Sequence, residues 1–198
     1  MLKELRYELS RGMAYRQIRH GEMRAYTTWL PLGLWIILIS IYLLLPQKPV
    51  LLGKDGTLST VLLAISTLPG FYFAGLAAVA TFGATAMDQE MPSPAPELDI
   101  LVGGRTVQSK LTRRQFLSYL FSYLVIISFL LCLIMIMLNI STLSLHALKC
   151  KLHFLMFGEH IWQFGKLIAI MALGALFSTM ATTTLQGIYF LTEKIHQP

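Results

Sequence analysis

Four long apolar runs constrain this chain more than any other feature. They cover about Thr27–Leu45, Leu58–Met87, Gln115–Ile140 and Ile161–Leu191. A bilayer core roughly 30 Å thick needs about 20 predominantly apolar residues in a helix to cross it. Inside lipid every backbone N–H and C=O must bond within the segment, so each run is expected to be a transmembrane helix. Composition agrees: 55% of the 198 residues are hydrophobic and 13% charged, where soluble domains carry about 25% charged residues. The expected fold is an all-α membrane protein with four transmembrane helices, preceded by a cytoplasmic amphipathic helix. Cys132 and Cys150 are too few for a disulfide framework. The charged stretch before the first run exceeds a signal-peptide n-region, and no small-residue cleavage site follows that run.

Residues 1–26 are polar and basic, with Leu2, Leu5, Leu9 and Met13 at helical spacing. They read as an amphipathic helix, bent near Gly12 or Gly21, lying on a membrane surface or binding a partner. The second run contains Pro69–Gly70. Proline removes a backbone donor and crowds the preceding turn, so a kink or break is expected there, and these two residues are hinge candidates for gating. The half after the break is rich in small residues, which permit close helix packing in lipid. Residues 88–114 form the longest connection, whose prolines disfavour a continuous helix; Gly103–Gly104 is a turn signal and Thr112 a cap for the third span. The segment 141–160 reads as a mixed loop, with Phe154–Phe157 able to dip into the interface.

Lysine and arginine counts set the orientation. Eleven lie in the N-terminal segment, the second connection and the tail, against four on the other side, or five with Lys166. The positive-inside rule then places both termini and residues 88–114 in the cytoplasm. Short connections point to a bacterial inner membrane.

The spans offer no catalytic constellation. Their cores hold no Asp, Glu or His, and Lys166 sits near the outer end of the fourth. Proton-coupled carriers and intramembrane hydrolases need ionisable groups at mid-depth. The chain also lacks a phosphate-binding loop, a dinucleotide fingerprint and hydrolase motifs. No enzyme activity, metal or cofactor is expected. His146, Cys150 and His153, with Glu159 or His160 as a fourth ligand, have only a weak metal-site spacing, and a polar outer loop with scattered histidines explains them far better.

Two features bear on function. Gly174, Ser178 and Thr182 fall at i, i+4 and i+8, a single stripe of the fourth helix. Such a stripe lines a small oligomeric pore, or packs against another helix with its hydroxyls bonded to backbone. Arg6, Arg11, Arg16, Arg19, Arg24, Arg105, Arg113 and Arg114 would gather on the cytoplasmic face. They anchor the chain by positive-inside charge, or bind an anion, a nucleotide, a nucleic acid or a cytosolic protein there.

Four helices enclose little by themselves, so a cyclic homo-oligomer, with a tetramer favoured, is expected to complete a pore gated from the cytoplasmic side. The alternative is a non-conducting scaffold or sensor that recruits a cytosolic partner. The plan of an arginine-rich N-terminal segment (Arg6 to Arg24), four spans and no enzyme motif resembles the small membrane effectors of bacterial anti-phage defence operons. These include the channel-type effector of the Hailong system, held in check by a nucleotide or oligonucleotide, and the four-span membrane subunit of the Kiwa system. The resemblance implies a membrane effector acting in antiviral defence and assigns no site residue.

Overall fold

The computed structural model describes residues 11–19, 25–53, 56–81, 83, 87–91, 95–102, 105–153 and 157–194. Among the described residues, four helical segments are long and apolar enough to span a bilayer: Ala25–Leu44, Thr57–Thr81, Arg113–Ile140 and Gly158–Glu193. The first is a π-helical turn, Ala25–Trp29, leading into α1, Leu30–Leu44. The second divides into α2, Thr57–Ile65, and α3, Leu68–Thr81. The third is α4, Arg113–Ile140. The fourth is α6, Gly158–Tyr189, closed by a π-helical turn, Phe190–Lys194.

Proline explains the break in the second span. In an unbroken helix the Ile65 carbonyl would accept from the amide four residues later, which is Pro69 and has none. The helix stops at Ile65, and α3 restarts with Pro69 in its first turn, where a missing N–H costs nothing. The freed Ile65 carbonyl faces the Cys132 thiol of α4, Sγ at 3.9 Å.

Helix α4 is the hub. Of its most apolar stretch 44% is buried, against 6%, 17% and 11% for the other spans. Leu117, Leu120, Leu124, Ile127 and Leu131 recur at helical spacing, all buried, and α2, α3 and α6 pack around them. Gly75 of α3 lets the two backbones close on Phe121: a Cβ there would lie 2.8 Å from its ring. A capping box starts α4, with the Gln115 amide donating to the Thr112 hydroxyl at 3.2 Å and the Gln115 side chain accepting from the Thr112 amide at 3.2 Å. The sequence reading of Thr112 as a cap therefore holds.

Two corrections concern the connections. Within the segment read as an 88–114 loop lies an antiparallel hairpin, β1 Glu97–Val102 and β2 Arg105–Lys110, with Val102 opposite Arg105 and Glu97 opposite Lys110. The fold is thus helical with a small added sheet. Within the segment read as a 141–160 loop lies α5, Thr142–His153, packed on α6 with most of its surface exposed. Lys149 and Lys151 there made the segment look like loop, although Leu145 and Leu148 continue a helical pattern.

The expected N-terminal amphipathic helix falls largely outside the described residues, including Leu2, Leu5 and Leu9. Its described part, 11–19, carries a short 3-10 turn, Ala14–Gln17. Also outside are Gly103–Gly104 and the residues 154–156.

Candidate functional site: the closed hairpin end and the α1–α6 seam

Chain alternation puts 11–19, the hairpin and the Phe190–Lys194 turn at one end of the bundle, and Leu45–Gly53 with α5 at the other. At the hairpin end, the 11–19 segment does more than flank the bundle. The Arg19 amide donates to the Glu97 carbonyl at 2.9 Å, and the Glu97 amide donates back to the Arg19 carbonyl at 3.1 Å. The segment thereby extends the hairpin by one bridge. Its 3-10 turn drives Tyr15 into the space between α4 and α6, where the ring is 1% exposed. The ring meets Tyr123 at 5.2 Å and Phe116 at 6.3 Å between centroids, and Phe116 in turn stacks on Phe190 at 4.9 Å. The Tyr15 hydroxyl donates to Gln186 Oε1. Burial pushes the Tyr15 phenol above its ordinary value, the neighbouring Tyr123 adds to this, and the Thr183 hydroxyl opposes it. Gly12 lies so near Ile126 that a Cβ would overlap the side chain.

The arginines divide between structural and exposed roles. Arg11 donates to the Tyr119 hydroxyl at 2.6 Å and the Asp99 carbonyl at 3.1 Å, and its guanidinium lies 4.9 Å from the Tyr119 ring centroid. Arg19 pairs with Asp99 at 3.3 Å. Arg114 forms a fork on Asp88, at 2.7 and 3.1 Å, and donates to the Val79 and Ala80 carbonyls at the end of α3. The Arg114 guanidinium holds the Asp88 carboxyl below the usual carboxylate range. Arg113 is buried. Arg16 is exposed and makes no ion pair with any described residue. Arg105 contributes its backbone to β2; Arg6 and Arg24 lie outside the described residues. The sequence brought these residues together as a charge cluster; the structure places Arg11, Arg19 and Arg114 in bonds that fasten the segment, the hairpin and α3 to one another. Nothing in the spacing of Tyr15, Asp99 and Gln186 announced their part in this.

Within the protomer, Gly174 and Ser178 of the stripe meet α1, and Thr182 is buried farther along α6. A Cβ on Gly174 would sit 3.5 Å from the Trp35 ring. The Trp35 indole N–H donates to the Met171 carbonyl at 2.8 Å. Ser178, fully buried, donates to the Pro31 carbonyl. Thr182 donates to the Ser178 carbonyl of its own helix at 2.9 Å. Small residues and hydroxyls thus admit the bulky, proline-containing α1. Pro69 is buried and Gly70 exposed beside it, with no atom within 4 Å of a Cβ built there. His146 Nδ1 lies 3.8 Å from Cys150 Sγ on the exposed side of α5; the His153 side chain is not described, and Glu159 and His160 are exposed at the start of α6.

One face of α3 meets no partner among the described residues of the protomer. Gly70, Ala74, Ala77 and Thr81 fall along a single stripe and are all exposed. At the end opposite the hairpin, α1 and the first turns of α6 part around a cleft of about 790 Å³, bordered by Tyr42, Lys48, His160, Gln163, Phe164 and Lys166 among others.

Comparison of the chain with protein-family models, with curated proteins and with solved structures gives no match.

Proposed function

We propose that the chain is a subunit of a homo-oligomeric membrane pore whose hairpin end is closed by residues 11–19. The observation that carries this is Tyr15, a buried aromatic plug on a segment tied by backbone and side chain to an extramembrane hairpin. A ligand or protein that moves the hairpin would draw on Tyr15 through the Arg19–Glu97 bridge. Such a two-position element is what gating requires. The bare small-residue face of α3 supports self-association, because helices in lipid meet by close packing rather than by hydrophobic burial. The Pro69–Gly70 break supplies a hinge beside it. The excess of basic residues at the hairpin end favours the cytoplasmic side of a bacterial inner membrane. Arg16, exposed and without an ion pair to a described residue, is open there to a nucleotide, a nucleic acid or an acidic partner. An effector of anti-phage defence is a setting that fits this plan.

A second reading, a non-conducting scaffold that recruits a cytosolic partner, is favoured by the α1–α6 seam. There the hydroxyl stripe is spent on helix packing.

Planar-bilayer recording of the purified chain separates the two. The pore reading expects discrete openings that become more frequent in Tyr15→Ala. Silence in both the parent and Tyr15→Ala, with folding verified, moves the assignment to the scaffold.

A further inference from the structure

We infer that the cleft at the end opposite the hairpin binds an anionic phospholipid, its phosphate held by Lys48 and Lys166 and its acyl chain by the walls of α1 and α6. The charged groups among the described lining residues are of one sign. Among the described residues, Lys48, Lys166 and His160 border the cleft with Gln163, and no carboxylate lines it. Glu159, next to His160, is not part of the lining. Neither lysine has an ion pair or hydrogen bond with a described residue.

The setting matches an amphiphile better than a soluble anion. The spanning segment from Gly158 to Glu193 has 36 residues. At ~1.5 Å per residue it is about 54 Å long against a bilayer core of about 30 Å. Its first turns therefore stand in the headgroup region, and Lys166 lies where the apolar part of α6 begins. A lysine at that depth directs its ammonium toward the headgroups and its stem along the apolar wall. Phe164, on that wall, is 66% exposed, and Leu43 across the cleft is 56% exposed, both open to lipid. A pocket of this size with a cationic rim and apolar walls accommodates a phosphate and the first part of an acyl chain.

The test uses the full-length protein in a neutral detergent, with retained lipid read by native mass spectrometry. The probes are dioctanoyl phosphatidylglycerol, dioctanoyl phosphatidylcholine and inorganic phosphate. Retention of the glycerol lipid above the choline lipid is expected, with affinity about five-fold weaker in Lys48→Ala and again in Lys166→Ala. Lys149→Ala/Lys151→Ala on α5 is expected to bind as the parent does. Lys48 lies outside any helix, so its variant tests the site even where Lys166→Ala disturbs α6. Equal retention of the two lipids overturns the inference. So does an equal loss in the α5 variant, which would make the attraction diffuse charge. Displacement of the lipid by millimolar phosphate overturns it as well, leaving a soluble-anion site.

Discussion

Tyr15 concentrates the consequences of a single side chain. Its ring fills a space enclosed by Phe116, Tyr123 and Gln186, and truncating a buried aromatic costs about 3–5 kcal/mol. Tyr15→Ala is expected to release the 11–19 segment, read as faster trypsin cleavage after Arg16 and Arg19. Tyr15→Phe keeps the ring and removes its hydrogen bond to Gln186, an expected loss of about 1 kcal/mol by thermal melting. Titration points the same way. A phenol whose folded pKa is raised contributes fully below the unfolded value of about 10, and the contribution falls as pH climbs above that value toward the folded one. A spin label at Arg19→Cys is expected to gain mobility only above about pH 10. Asp88 has the opposite sign. Its pKa is lowered by Arg114, so its contribution is complete above about pH 3.9 and disappears as pH falls through the lower folded value. Asp88→Asn is expected to remove that acid limb from a pH series of melting temperatures, and it leaves the neutral-pH fold in place because the pair is exposed.

At the scale of elements, glycine and proline decide how the helices meet. Gly75→Ile would drive side-chain atoms into Phe121, already 2.8 Å from a Cβ at that position. An overpacking cost of about 1–3 kcal/mol is expected, seen as a lower melting temperature in detergent. Pro69→Ala returns an amide to the Ile65 carbonyl and is expected to join α2 to α3. Electron paramagnetic distance measurements between labels at Leu63→Cys and Phe73→Cys would register the straightening. At the seam, Ser178→Leu must push Pro31 of α1 away from α6, whereas Ser178→Ala forfeits one hydrogen bond, about 1 kcal/mol. The break at Pro69 and the cap at Thr112 were legible because each follows from the chemistry of one residue and its immediate neighbours. The hairpin was not. Its strands are short, one contains Leu98–Asp99–Ile100 and the other Arg105–Thr106–Val107, and the prolines before them signal only that a helix ends.

For the whole molecule, the exposed α3 face makes self-association testable without reference to conduction. Ala74→Cys and Ala77→Cys are expected to form disulfide-linked dimers in native membranes under mild oxidation, while Phe129→Cys on the exposed side of α4 does not. Equal cross-linking at all three positions would argue against a defined α3 contact.

The sequence by itself determined the four apolar helices, the proline break and the cap of α4. These depend on hydropathy, a missing amide and a local hydrogen-bond exchange, all properties of neighbouring residues. Only the tertiary structure decided what the small and charged residues do. A Gly–Ser–Thr stripe has the same sequence whether it faces water or another helix, and only the fold brings Trp35 and Pro31, far away in the chain, against its Gly174 and Ser178. An arginine-rich segment reads the same whether it anchors to lipid, binds an anion or ties elements together. Asp99, Tyr119 and Asp88 set the structural roles of Arg11, Arg19 and Arg114, because a charge acquires its role from the partner that the fold brings within hydrogen-bond reach.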